Sequence, residues 1–395
     1  MEAGEGRLSD PAPDSERGDL VCLAEIAWGY FRTRKQFLLS RLAKKWRVTY
    51  FEPPAFGRGG GAGARAVDGV TVVTVPFLKP GTTVPAYNAA MATPLGRALV
   101  ERVAGLSLAA WLRRLGIAKP VCMISNVYAA NLLGIVAPRL VCYDFNDHPM
   151  QFPTAPEWTE IYLRKLLAAS DVVVAVSEPY QRELASLTAA PVVRIENGVE
   201  FDRFAHPASG PPPAMAALPR PRLGYVGKLS TFLDVPLLEK IASAFAHPLV
   251  LAGPIPPEMR GPIAPLLARP NVHYLGELPY DQVPGFLSGL DVGLVPFRAG
   301  DRFVERINPN KLYQYLAAGL PMVSSPMEGI AGNDAGLFFA SDQEKFLSAI
   351  RRVLEGPVDR ERLRGLARDH DWDALAEKMD HVLLAHAALR RARSA

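Results

Sequence analysis

Cysteine is scarce in this chain. There are three in 395 residues, Cys22, Cys122 and Cys142, each inside an apolar strand-like run and none in a CxxC pair. That spacing excludes a disulfide framework and a thiolate metal site, and it reads as buried, inert thiols. Long hydrophobic runs are also missing. No stretch approaches the ~18–20 apolar residues of a membrane-spanning helix. Charge of one sign is not in excess: the formal net charge is +4, too little for a nucleic-acid footprint, so no nucleic-acid partner is expected. Residues 1–19 are acidic and contain proline, with no apolar core of a secretory leader. They read as a disordered tail, and the protein is expected in the cytoplasm. What is present is a composition 49% hydrophobic with 36 Pro and 32 Gly dispersed along the chain. This suits two ordinary domains with many short connections.

Short β-rich runs alternate with helical patterns over residues 20–205. The runs are Leu20–Ala27, Val48–Phe51, Val70–Val75, Val121–Ser125, Leu140–Phe145, Val172–Val176 and Val192–Ile195. Near-continuous apolar strands between helices predict a parallel sheet covered on both faces. The proline-rich stretch within 206–220 interrupts the pattern and reads as a linker. A second set then follows over 221–370: Leu223–Val226, Leu249–Ala252, Val272–Leu275, Val292–Val295, Met322–Ser324 and Leu337–Phe339. A long helical pattern closes the chain within 371–395. The expected class is α/β, with two doubly wound domains facing a cleft and ligands at the carboxyl ends of the strands.

The segment from Glu305 to Pro321 reads as a short helix with both ends marked. Asn308 is the expected N-cap, Pro309 the first helical residue, and Gly319 followed by Pro321 the stop. Asn310, Lys311 and Leu312 would form a first turn whose unpaired N–H groups favour an anion, and a cation there suggests a phosphate or diphosphate guest. Gly224 to Ser230 resembles a fragment of a P-loop, but Leu229 follows Lys228, so the nucleotide triphosphatase motif is absent. Gly227 would still let a ligand approach the backbone, and Lys228 would meet its phosphate.

These segments carry a family resemblance. Asn197-Gly198-Val199, with Phe201 and Phe204, is similar to the hinge of bacterial glycosyltransferases of the two-domain GT-B fold. Ser170 to Ser177, Val272 to Pro279, Leu290 to Pro296 and Asn310 to Pro321 keep the order and spacing of the family 4 enzymes that use nucleotide-sugar donors. The resemblance implies a nucleotide diphosphate sugar bound on the second domain near Gly227, Lys228 and Asn310, with no further cofactor and no metal. The family's two glutamates, separated by seven residues, are absent. Gln314 stands at the second, ribose-binding position, and Arg306, beside Glu305, stands at the first.

In the first domain, Asp144, Asp147 and His148 follow a strand and are candidates for acid/base catalysis, for binding sugar hydroxyls, or for capping a helix. Trp28, Gly29 and Tyr30 end the first strand, as a sugar platform or as packing. Arg34, Arg41, Lys44 and Lys45 gather on one face of the next helix with Phe37 among them. That face reads either as solvated or as a contact with an anionic membrane. Together these readings predict a glycosyltransferase, retaining by resemblance, moving sugar to a hydroxyl acceptor such as a lipid-linked glycan or envelope polysaccharide precursor at the inner face of the cytoplasmic membrane. The alternatives are a noncatalytic binding subunit or an epimerase on the same fold.

Overall fold

The computed structural model describes residues 18–29, 31–54, 63–80, 84–152, 155–330, 332 and 336–394. The chain forms two compact units. The first comprises the chain up to Val176, Tyr180–Ile195 and Leu375–Ala395, and the second comprises Ser177–Pro179 and Glu196–Ala374.

The first unit holds an eight-stranded sheet: β1 (Asp19–Leu23), β2 (Arg47–Glu52), β3 (Arg65–Val67), β4 (Val70–Thr74), β5 (Val121–Ile124), β6 (Leu140–Phe145), β7 (Val172–Ala175) and β8 (Val192–Arg194). Its order is β3-β4-β2-β1-β5-β6-β7-β8. Every pairing is parallel except β3 with β4. Strands β1, β5 and β6 are apolar and buried along nearly their whole length, as strands covered on both faces must be. The sequence pattern missed β3, none of whose residues is buried. It also ran β1 on to Ala27, whereas β1 ends at Leu23.

The second unit holds β9 (Leu223–Val226), β10 (Leu249–Ala252), β11 (Val272–Tyr274), β12 (Val292–Val295), β13 (Met322–Ser324) and β14 (Leu337–Phe339), in the order β11-β10-β9-β12-β13-β14. Counted within the unit this is 3-2-1-4-5-6, the Rossmann order, with its reversal between β9 and β12. The corresponding reversal in the first sheet lies between β1 and β5.

The chain changes unit at Ile195/Glu196, earlier than the 206–220 stretch expected as a linker. That stretch packs on the second unit. Met215 is fully buried, and a Cβ on Gly289 would meet Pro211 and Met215 at 2.6 and 2.8 Å. The last helix, Trp372–Ser394, is fastened to the first unit by its polar side chains. Asp380 accepts from the Trp46 indole at 2.7 Å, and Glu377 and Asp171 pair with Lys45 and Arg390. Among the described residues no helix is long and apolar enough to cross a membrane.

Candidate functional site

In the second unit, the helix Asn310–Ala317 begins two residues after Asn308, with Pro309 at the cap position and no side chain capping the first turn. Asn308 is therefore not the N-cap. Its side-chain oxygen accepts from the Asn197 N–H at 2.9 Å, its amide donates to the Tyr313 hydroxyl at 2.8 Å, and its carbonyl accepts from the Asn197 side chain at 2.6 Å. Asn308 spends its polar groups on locking the Asn197-Gly198 turn to the start of this helix.

Lys311, in the uncapped first turn, folds back over the end of β9. Its ammonium donates to the Tyr225 hydroxyl at 2.6 Å and lies 4.1 Å from the Tyr225 ring centroid and 5.0 Å from that of Phe297. The Tyr225 hydroxyl in turn donates to the Lys228 carbonyl at 3.1 Å. Gly227 has φ +137°, and a Cβ there would sit 2.8 Å from the Lys311 nitrogen. The space left by the missing side chain is thus taken by the lysine. Burial pushes the Lys311 ammonium down to about 7, because two aromatic rings and one hydroxyl replace water poorly. Lys228, beside it, is exposed. An uncapped helix start and a cation short of counter-charge are together suited to an anion.

One turn along, Gln314 is half-buried. Arg306 donates to the Pro179 carbonyl at 3.3 Å, and its own carbonyl accepts from Ser177 at 2.7 Å. Glu305 accepts from the Gly300 N–H at 2.8 Å.

The first unit contains a cavity of about 440 Å³ at the carboxyl ends of β1, β4, β5 and β6, around the reversal of strand order. Glu25, Lys35, Lys79, Ser125, Tyr128 and Asp147 are among its lining residues. Glu25 pairs with Lys35 at 2.6 Å and accepts from Ser125 at 2.7 Å. Burial works against the Glu25 carboxylate, but Lys35 and these hydrogen bonds outweigh it and hold its pKa below the ordinary value. Burial raises the Asp147 carboxyl, against the opposing pull of Lys35 and a 2.6 Å hydrogen bond from Asn146. Lys79 has no ion pair among the described residues, and burial lowers it. Two carboxylates act on it electrostatically, but Glu25 is engaged as above, and Glu52 is engaged by Arg65 at 2.7 Å and the Trp28 N–H at 2.7 Å.

Of the three residues grouped by the sequence, Asp144 and Asp147 both line the cavity and His148 does not. Asp144 is buried against the Arg34 guanidinium, with contacts of 3.0 and 3.2 Å. His148 caps the short turn Pro149–Gln151 by accepting from the Met150 N–H at 3.2 Å, with its other nitrogen 3.4 Å from Glu183.

Trp28 is buried edge-on against Tyr50 at 5.0 Å, so it packs rather than offering a platform. Gly29 is exposed with open space around it and no positive φ. Tyr30 lies outside the described residues.

The membrane face expected on the helix Arg34–Leu42 is not formed. Arg34 and Phe37 are buried, because Asp144 draws the guanidinium inward and the ring joins the core. Arg41 donates to the Phe37 carbonyl at 3.2 Å, Lys45 pairs with the last helix, and Lys44 is exposed.

Glu25, Lys35, Lys79 and Ser125 were not singled out from the sequence. The signal available was positional and partial, since Glu25 and Ser125 follow the two strands that flank the order reversal, β1 and β5.

Residues 220–356 match the family described as Glycosyl transferases group 1. A Bacillus subtilis (strain 168) protein named as a teichuronic acid biosynthesis glycosyltransferase is 25% identical over 227 residues, covering 53% of this chain and 56% of that protein. The chain thus spans about half the length of this curated relative. Among solved structures, the sucrose-phosphate synthase of Thermosynechococcus elongatus superposes with TM-score 0.71 at 15% identity, over 93% of this chain and 98% of that one. An E. coli structure titled as trehalose-6-phosphate bound with UDP-2-fluoro glucose gives 0.70 at 15% identity, over 93% and 99%. Anabaena HepE in complex with UDP gives 0.55 at 14%, over 96% and 100%. The chain has the GT-B fold, and its second unit carries a glycosyl transferases group 1 domain.

Proposed function

We propose that the protein is a glycosyltransferase that moves a sugar from a nucleotide diphosphate donor to a hydroxyl acceptor. The observation that carries this reading is the Lys311–Tyr225–Gly227 constellation beside an uncapped helix start, inside the segment that matches the family. An arriving diphosphate would complete the half-ionised Lys311 and the first-turn N–H groups of Asn310 and Lys311. The same contacts would stabilise the charge that builds on the leaving diphosphate as the glycosidic bond breaks. Gln314, as a hydrogen-bonding side chain, is suited to the ribose diol. No step in this scheme draws on a cofactor.

We assign the acceptor to the cavity of the first unit. The Glu25–Lys35 pair and Ser125 supply hydroxyl partners there, and Asp147 is the candidate to take the acceptor proton. Support for a polysaccharide acceptor comes from the relative named for teichuronic acid biosynthesis; a lipid carrier and work at the inner face of the cytoplasmic membrane belong to the same reading as proposals. Retention of configuration is the stereochemistry we favour.

Arg306 at the position of the family's first glutamate favours a second reading, a binding subunit without transfer. Calorimetry with UDP, GDP, CDP and ADP, followed by assay of nucleotide release from the sugar of the best binder, separates the two. Binding with release on adding a hydroxyl acceptor supports transfer. Binding without release across an acceptor panel supports the subunit, and no nucleotide binding contradicts both.

A further inference from the structure

The helix Pro94–Arg114 of the first unit is apolar on two opposite faces. Ala104, Gly105, Leu108 and Leu112 are buried, and this is the face the fold requires. At ~100° per residue, Leu95, Leu99 and Leu106 share the other side, with Val103 at its margin. These side chains are open to solvent: Leu95 is 82% exposed, Leu99 63%, Leu106 66% and Val103 49%. Single exposed leucines are ordinary, but a contiguous row along one helix marks a contact surface.

The exposed charges on this helix are all positive, while its remaining arginine, Arg97, is half-buried away from the row and donates to the Met91 carbonyl at 2.9 Å. Arg102 and Arg113 fall on the leucine row, Arg114 lies next to it, and all three are exposed. The one acid of the helix, Glu101, is turned away from the row and accepts from Asn131 at 2.7 Å and from Tyr162 at 2.6 Å. We propose that this face docks on an anionic lipid surface, the leucines entering the headgroup boundary and the arginines meeting lipid phosphates. A row of aliphatic side chains flanked by arginine is the pattern of an interfacial helix. A second copy is a poorer occupant, because the row carries cations and no acid and is not complementary to itself. The inference places the membrane contact on a different helix from the one expected from the sequence. It rests on the reading of a lipid-carried acceptor only for its purpose, not for its geometry.

The test is co-sedimentation of the full chain with vesicles of phosphatidylcholine alone and of phosphatidylcholine mixed with phosphatidylglycerol. The expected result is binding to the mixed vesicles, reduced but not abolished by high salt. Leu95→Ser/Leu99→Ser/Leu106→Ser should lower the bound fraction at least ten-fold. Arg102→Glu/Arg113→Glu should lower it to a similar extent at low salt, and Lys44→Glu/Lys45→Glu should leave it unchanged. UDP calorimetry on each variant reports the donor site separately, so loss of lipid binding with intact nucleotide binding bears on the helix alone. Wild-type protein that stays in the supernatant at low salt overturns the proposal. So does a leucine variant that sediments like wild type. A concentration-dependent dimer, abolished by the leucine substitutions and accompanied by no vesicle binding, would assign the face to a second copy instead.

Discussion

Lys311 donates to the Tyr225 hydroxyl at 2.6 Å while lying 4.1 Å from the centroid of the same ring. Neither contact supplies a negative charge, and burial lowers the lysine to about 7. An unfolded lysine titrates near ~10.4. Between these values the unfolded chain binds the extra proton, so stability should rise with pH across this window. Below about 7 the lysine is charged in both states and its burial cost is fully present. Lys311→Met, which removes the charge and keeps most of the volume, should flatten this part of the profile and raise Tm at pH 6. Thermal melts of both proteins from pH 6 to 10 check this, and parallel profiles would show that the ammonium carries no burial cost.

Gly227 and Gly29 both follow a first-strand turn in the chain, but only one is constrained. At Gly227 an added Cβ would lie 2.8 Å from the Lys311 nitrogen and 3.2 Å from the Tyr225 hydroxyl, at φ +137°. Gly227→Ala should cost about 1–3 kcal/mol in urea unfolding, the range for a residue forced into that backbone region. Gly29→Ala meets nothing within 4 Å and should stay within about 0.5 kcal/mol of wild type. Equal effects at the two positions would mean that the β9 turn is not built around the lysine.

Arg34 and Asp144 form a buried pair. Removing one partner leaves an uncompensated buried charge, so Arg34→Met or Asp144→Leu should each cost about 3–5 kcal/mol. The double variant should cost less than the sum of the two. A double-mutant cycle in denaturant measures this, and strict additivity would mean that the pair is not coupled.

Gln314 lies one turn beyond Lys311 on the same helix. If it serves the ribose, Gln314→Glu should hold nucleoside diphosphate within about three-fold of wild type, since a carboxylate also accepts from the diol. Gln314→Leu should weaken binding by about ten-fold, the loss of roughly 1.4 kcal/mol of hydrogen bonding. Calorimetry with the preferred nucleotide distinguishes the two, and equal binding by both variants would make Gln314 a packing residue.

Much of the fold was legible because buried parallel strands write themselves as short apolar runs. Five of the six strands of the second sheet match the sequence-derived limits, and β11 stops one residue short at Tyr274. β3 was missed because an antiparallel edge strand of three residues, none of them buried, has no such run. The site was legible only in part. Lys311 was found through the helix start, but not its return onto Tyr225, which is a contact 86 residues apart in sequence. Arg34 looked like part of a surface face because its partner, Asp144, is 110 residues away. Periodicity sees one helix at a time, and a charge drawn inward by a distant carboxylate leaves no mark on that period. His148 carries the same lesson on a shorter scale, since a side chain that caps its own turn looks like a catalytic group until its acceptor nitrogen is seen to be occupied.

The most direct measurement is calorimetric titration of wild-type protein and Lys311→Met with the preferred nucleoside diphosphate at pH 8, in two buffers of different ionisation enthalpy. With Lys311 mostly neutral in the free protein and charged beside the diphosphate, wild type should take up a substantial fraction of one proton on binding. Its affinity should fall as pH rises from 7 to 9. Lys311→Met should take up none through this group and bind about 10–100-fold more weakly, the worth of a charge-assisted contact. Identical affinity and identical proton uptake in the two proteins would place the diphosphate elsewhere and contradict the donor site described for the second unit.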